Sequence, residues 1–95
     1  MSATIDAAVA ALSARLSTGF DGVAKFVIPG EGAIMMDAGG VRAADDAAEV
    51  TLTADAETFE AILAGDLNPT MAFMTGKLTV DGDMGAAMRL GAALS

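Results

Sequence analysis

The sequence predicts an α+β domain in which one helix is followed by four strands, two helices, a fifth strand and a last helix. Two observations predict this class. Apolar residues recur at three- or four-residue spacing in some stretches and at every second residue in others, and Gly or Pro stands near most changes of period. The 95 residues leave room for one domain, residues 1–95, because a single core usually occupies about 50 to 200 residues.

The first helix is predicted from about Ile5 to Thr18. Ser2 or Thr4 can cap its start, and Gly19 follows the last apolar position. The apolar residues that recur on one face of this helix are Ile5, Val9, Leu12 and Leu16.

Four strands are predicted next, because apolar residues then alternate with their neighbours at a period of two. We expect the strands at 24–28, 34–38, 41–43 and 48–53, with residues 29–32 as a hairpin loop. Consecutive strands usually pair, so an antiparallel meander is the most economical topology.

Two helices follow the fourth strand. Asp55 is the expected N-cap of the first and Gly65 its C-cap, and its apolar face comprises Phe59, Ile62 and Leu63. Asn68 and Pro69 open a short helix that is expected to run through Thr75, since proline is favoured at the first helical position.

The chain then returns to a strand at 77–80, and Asp81-Gly82 is expected to form a turn. Asp83 can cap the last helix. One stripe of that helix comprises Met84, Ala87, Met88 and Gly91, with Leu90 and Leu94 beside it.

Composition excludes several classes of function. Without Cys the chain has no disulfide or thiolate metal site, which suits a reducing cytoplasm, and without His it lacks the usual catalytic base and metal ligand. A net charge of −8 with no Trp or Tyr makes nucleic acid a poor partner and disfavours strong binding to anionic membranes. We therefore expect a cytoplasmic protein.

No cofactor or metal motif is complete. Gly76-Lys77 resembles the end of a phosphate-binding loop, but Met71 and Leu78 stand where that motif needs Gly and Ser or Thr. The acidic pairs lack the further oxygen ligands of a calcium loop, and a turn followed by a cap explains Asp81 and Asp83. We expect no metal, no cofactor and no catalytic residues.

The methionines of the C-terminal helices are unusual. Met71, Met74, Met84 and Met88 are flexible side chains that adapt to changing apolar shapes but specify a rigid core poorly. The short helix and the last helix are joined by a single strand, so these side chains are expected to face one cavity. Core filling and an adaptable pocket are about equally supported by the residues alone.

The block NPTMAFMTGKLTVDGDM, residues 68–84, together with the order of elements, resembles the sterol carrier protein type two family of lipid-binding domains. Its most specific part is 73–83, where an aromatic residue, Gly-Lys, an alternating strand and Gly-Asp lead into a helix. The resemblance implies a five-stranded, mainly antiparallel sheet with helices packed on one face. It also implies an apolar cavity between sheet and helices that accepts sterols, fatty acids or fatty acyl groups.

The same resemblance implies which residues bind the ligand. Three helices wall the family pocket and the sheet forms its floor, and the matching positions are Phe26, Met36, Leu52, Phe59, Leu63, Met71, Met74, Met84 and Met88. Lys77 occupies the family's usual lysine position, where it either touches a headgroup or lies on the surface.

Three departures from the family pattern alter the expectation. The sequence ends soon after Leu90, whereas longer members continue with a covering segment, so the pocket is expected to be open, small or completed by another subunit. The first helix carries Arg15 as its one cation, unlike members whose basic first helix docks on membranes. The few Lys and Arg side chains also weaken recognition of coenzyme A phosphates.

Two functions follow as hypotheses. The first is a non-enzymatic lipid-binding or transfer domain that sequesters a fatty acid, fatty acyl or sterol-like ligand. The alternative is a protein-interaction or dimerisation module, with a homodimer as one form, in which the cavity is vestigial. A carboxylate-dependent enzyme is a weaker third possibility, because it needs two acids converging on a pocket.

Overall fold

The computed structural model describes residues 3–17 and 19–94, and the predicted order of elements is confirmed. The elements are α1 Ala3–Arg15, β1 Ala24–Ile28, β2 Gly32–Asp37, β3 Gly40–Ala43, β4 Val50–Thr53, α2 Ala56–Ala64, α3 Pro69–Met74, β5 Thr79–Gly82 and α4 Met84–Leu94. Thr4 lies inside α1 and does not cap it. The other candidate cap, Ser2, and the predicted helix end, Thr18, lie outside the described residues.

The five strands form one sheet in the order β3-β2-β1-β4-β5. Neighbouring strands are antiparallel except β1 and β4, which are parallel with Phe26 opposite Leu52. The expected meander is therefore wrong, because the chain crosses from β3 at one edge to a position beside β1. A meander would leave β1 at an edge, whereas the observed order pairs it on both sides and buries Phe26 in the middle of the sheet.

The register places one set of alternating side chains on the face that the helices cover. Helix α1 packs on β2 and β3, and α4 packs on β1, β4 and β5. The helices and this face bury a single core. The strand residues in that core are Ala24, Phe26, Ile28, Ile34, Met36, Val50 and Leu52. The predicted class, a mainly antiparallel sheet with helices on one face, is confirmed.

The opposite face of the sheet is covered in part by the crossover between β3 and β4. Lys25 and Met35 lie side by side on this face, and the ammonium of Lys25 is 2.8 Å from the carboxylate of Asp45 in the crossover. Met35 is only 1% exposed although it lies outside the helix-side core. Met35 is therefore buried on the outer face of the sheet, separate from the helix-side core.

The helix ends follow the predicted chemistry. Asp55 caps α2 by accepting a hydrogen bond from the backbone N–H of Thr58, and Gly65 ends the helix in the left-handed conformation that glycine adopts without strain. Asn68 caps α3 through the backbone N–H of Thr70. The carboxylate of Asp83 accepts a hydrogen bond from the backbone N–H of Gly85 at the start of α4.

One local prediction is wrong. Asp81 and Gly82, expected as a turn, belong to β5 and pair with Thr51 and Val50 of β4. Gly82 comes so close to β4 that a Cβ atom there would lie 2.3 Å from the carbonyl oxygen of Glu49. The glycine is needed for the close approach between the strands, and α4 begins two residues later, at Met84.

Candidate ligand-binding cavity

A cavity of about 450 Å³ lies between the sheet and helices α2, α3 and α4. This volume falls within the range of about 300–1,000 Å³ that is usual for small-molecule sites. The lining is mostly apolar and consists of Phe26, Leu52, Ile62, Pro69, Thr70, Phe73, Leu78, Val80, Met84, Ala87, Met88, Gly91 and Ala92.

Three adjacent strands supply the floor of the cavity. Phe26 of β1 stands opposite Leu52 of β4, which stands opposite Val80 of β5. Because neighbouring strands are about 4.8 Å apart, these side chains form a continuous apolar row across half of the sheet. Phe26 and Leu52 are almost completely buried, so the floor is fixed by packing.

Helix α4 supplies one wall through the stripe that the sequence predicts. Met84, Ala87, Met88 and Gly91 all line the cavity, while Ala86 and Leu90 are turned into the core. A Cβ atom on Gly91 would meet no heavy atom within 4 Å, so the small residues of this stripe leave volume that the core does not fill.

The cavity opens to solvent between α3 and α4, where its lining residues Phe73, Met84 and Met88 are exposed, and we call this opening the mouth. Helix α3 forms the side of the mouth opposite α4. Pro69 and Phe73 lie four positions apart on the face that meets the cavity. Thr70 lines the cavity as well, and since each residue advances about 100° around the axis, Met71 points away from this face while Met74 lies at its edge. They are 52% and 72% exposed and line no part of the cavity, so the structure does not place all four methionines in one cavity.

The remaining predicted site residues also separate. Phe59 and Leu63 of α2 line a smaller groove of about 190 Å³ against α1. Met36 lies on β2, in the half of the sheet covered by α1, and is completely buried there. Of the nine sequence-predicted residues, the main cavity brings together Phe26, Leu52, Met84 and Met88.

Sequence reasoning misses several lining residues for different reasons. The sequence places Ala87 and Gly91 on the right stripe of α4, but small residues give no signal of lining a pocket. Val80 follows from strand alternation only once β5 is known to pair with β4. Phe73 escapes prediction because a six-residue helix is too short for its periodicity to reveal which face is inward.

The lining residues can bury an apolar ligand but offer it almost no polar contacts. Thr70 supplies the only side-chain oxygen among the lining residues, and none of them is charged. Lys77, left open by the sequence, is exposed and does not line the cavity. Across residues 3–17 and 19–94 no group of acidic side chains is arranged to hold a metal ion. Nor does any helix in these stretches have the length and apolarity to cross a membrane.

An α+β sandwich with an uncharged cavity between sheet and helices defines a class of small domains that hold apolar ligands. The chain belongs to the SCP-2 sterol transfer family, which it matches over residues 4–95. Among curated proteins, the Hydroxysteroid dehydrogenase-like protein 2 of Xenopus laevis is 39% identical over 77 residues. That match covers 73% of this chain but only 18% of the relative, so this chain spans a small part of that protein's length.

Solved structures show the same fold over nearly the whole chain. Sterol Carrier Protein 2 Like 2 from Aedes aegypti superposes with a TM-score of 0.79 at 23% identity, covering 94% of both chains. Sterol Carrier Protein-2 from Aedes aegypti, solved in complex with the C16 fatty acid palmitate, gives a TM-score of 0.77 at 28% identity. That match covers 100% of this chain and 97% of the other. The family suggested by residues 68–84 is thus confirmed.

Proposed function

We propose that this chain is a non-enzymatic lipid-binding and transfer domain that takes a fatty acid, fatty acyl or sterol-like ligand into the cavity between α3, α4 and the sheet. The observation that carries the proposal is the uncharged, almost wholly apolar lining of a cavity of about 450 Å³. Membership of the SCP-2 sterol transfer family and the palmitate complex of a relative with the same fold support it.

Burial is the proposed source of affinity. Each CH₂ group removed from water contributes about 0.8 kcal/mol, whatever the headgroup. With Thr70 as the only side-chain oxygen in the lining, a carboxylate has no charged partner inside and is best placed at the open mouth, in water. We assign the buried chain to Phe26 and Leu52 on the floor and to Met84 and Met88 on the wall.

The same proposal takes the protein to be cytoplasmic and to have no catalytic activity. The sequence has no Cys and no His, and the cavity lining contains no acid that could act as a general acid or base. The ligand is held and released unchanged.

The test is displacement of a fluorescent fatty acid by unlabelled saturated fatty acids of eight to eighteen carbons. We expect affinity to rise with chain length, by up to about fourfold per CH₂, until the cavity is filled. No saturable binding, or the same affinity at every length, would refute the proposal.

A protein-interaction or dimerisation module is the second candidate, and the exposed methionines of α3 and α4 are the observation that favours it. Such a module would form a dimer or another protein complex without any bound ligand. Native mass spectrometry of the purified protein separates the two: a monomer that carries fatty acid supports lipid binding, whereas a ligand-free dimer supports the module.

A further inference from the structure

We propose that the exposed faces of α3 and α4 around the cavity mouth dock on a zwitterionic phospholipid surface, so that the ligand passes between bilayer and cavity without crossing water. We call this surface the mouth patch, and its residues are Met71, Phe73, Met74, Met84 and Met88. The inference deepens the proposed function and rests on it for the identity of the cargo, but the docking itself is measurable without any cargo.

The exposed large apolar side chains lie on two elements, helices α3 and α4. Among the residues whose side chains the structure describes, those of the mouth patch are the large hydrophobic groups that remain exposed. Phe73, Met84 and Met88 also line the cavity. Clustered exposed apolar groups mark interaction sites, and three of these five residues border the opening through which a ligand must pass.

Charge is segregated away from the mouth patch. The protein carries −8, yet residues 67–80 and 84–95 contain no Asp or Glu, and their only charged residues are Lys77 and Arg89. Nearby Asp81 lies on the opposite face of the sheet, beside Thr51, and Asp83 is engaged at the start of α4. The two stretches that carry the patch therefore bring no acidic side chain of their own to the lipid, although the exposed Asp83 directly precedes Met84.

The overall charge selects the kind of lipid surface. An anionic bilayer repels a protein of charge −8, whereas a zwitterionic one does not. A second copy of the chain fits less well, because two copies that each carry a charge of −8 repel each other. It would also close the mouth. Methionine side chains are flexible and polarizable, which suits the disordered surface of a bilayer.

Helix α1 does not offer an equivalent surface. Its large side chains Ile5 and Leu12 are buried against the sheet. Its exposed positions are Ala3, Asp6, Ala7, Ala10, Ser13, Ala14 and Arg15, which include no large apolar group. Insertion of apolar side chains into lipid is thus available to α3 and α4 and not to α1.

The test uses the double variant Met71→Gln/Met74→Gln. Neither residue lines the cavity, and Gln and Met have similar helix propensities, so both the cavity and α3 are retained. Flotation with vesicles of pure phosphatidylcholine measures docking without ligand. Because two apolar side chains lose their transfer free energy, we expect partitioning to fall about tenfold or more.

Adding phosphatidylglycerol is expected to weaken wild-type docking, and high salt is not expected to release the protein from phosphatidylcholine.

The matched control is Ala10→Gln/Ala14→Gln, which places the same two amides on the exposed side of α1. It should float like the wild type. Fatty-acid binding measured without vesicles should be the same in all three proteins. A wild type that floats with vesicles but binds no fatty acid would refute the proposed function and would not affect the docking proposal. Docking is refuted if the wild type does not float, or if only the α1 variant loses flotation. It is also refuted if sedimentation shows that the wild type is a dimer, that the Met71→Gln/Met74→Gln variant is a monomer, and that the two float equally.

Discussion

The rings of Phe26 and Phe59 pack against each other with their centroids 4.0 Å apart and their planes tilted by 50°. Phe26 lines the main cavity, whereas Phe59 lines the groove between α1 and α2. The pair therefore forms part of the wall between two volumes of about 450 and 190 Å³. We expect the size of these two side chains to limit how long a ligand chain the main cavity accepts.

The first prediction concerns Phe59→Leu, which removes ring atoms from the wall while keeping an apolar side chain. We expect the unfolding free energy to fall by about 1 to 3 kcal/mol, less than the roughly 3 to 5 kcal/mol of a Phe→Ala change. We also expect the best-bound fatty acid to become longer, because the cavity gains access toward the α1–α2 groove. Urea unfolding and displacement by fatty acids of 12 to 20 carbons measure the two effects.

Leu63→Ala provides the control, since Leu63 lines the same groove from a half-buried position but does not touch the main cavity. It should leave the preferred chain length unchanged. If Phe59→Leu loses stability without any change in chain-length preference, the aromatic pair is part of the core and not a boundary of the site.

Local sequence predicts where the strands lie along the chain but not which strands pair with each other. Alternation is a local property, so it predicts the strand Ala24–Ile28 to the residue. The parallel pairing of Phe26 with Leu52 is a long-range choice that depends on which strands bury each other, and no local pattern encodes it. The family resemblance predicts the cavity, but which side of α3 faces it depends on the packing of Pro69 and Ala72.

Asp81-Gly82 shows that a strong local signal can also predict the wrong structure. An Asp-Gly pair strongly favours a turn, yet antiparallel pairing with β4 holds it in a strand. The reason appears only in three dimensions, where Gly82 approaches Glu49 and Val50 closely. Tertiary contacts override a local preference when they satisfy backbone hydrogen bonds that a turn would leave to water.

The second prediction follows from the short distance between Gly82 and the backbone of Glu49 and Val50. Gly82 and Gly40 have similar φ angles of 113° and 116°, but a Cβ atom on Gly40 meets nothing within 4 Å. An alanine at either position carries the cost of a positive φ, and Gly82→Ala adds a clash with the backbone of β4. We expect Gly82→Ala to lower the unfolding free energy by about 1 to 3 kcal/mol more than Gly40→Ala, measured by urea denaturation. Equal losses would mean that β5 shifts freely away from β4.

The third prediction concerns acid. The hydrogen bond from the backbone N–H of Thr58 holds the pKa of Asp55 below its usual value of 3.8, and the hydrogen bond from Arg42 does the same for the pKa of Asp37. A carboxylate with a lowered pKa stabilises the folded state above the unfolded pKa, and this stability is lost as the pH falls through the folded value. The unfolding free energy should therefore decline below about pH 4.

Asp55→Asn isolates one contribution, because the amide oxygen still caps α2 but cannot titrate. We expect its urea midpoint to fall less between pH 7 and pH 3 than that of the wild type. Glu57→Gln removes a charge from the same first turn without touching the capping bond, and it should retain the wild-type fall. A variant Asp55→Asn as acid-sensitive as the wild type would contradict the assignment.

The last prediction uses two methionines that are equally exposed but differently placed. Met88, 74% exposed, lines the cavity, and Met74, 72% exposed, does not. Met88→Trp should direct added bulk into open volume, so we expect fatty-acid binding to be lost while the urea midpoint stays within error of the wild type or rises. In a tightly packed core the same change would cost about 1 to 3 kcal/mol.

Met74→Trp is the matched control, with the same substitution at the same exposure on the other side of the mouth. It should bind fatty acid like the wild type, because Met74 does not line the cavity. Fluorescence adds a second readout, since the protein has no other Trp and ligand should change the emission of the Met88→Trp variant only if the indole shares the cavity. If both variants bind fatty acid equally well, Met88 does not border the bound chain, and the wall formed by α4 is not the ligand site.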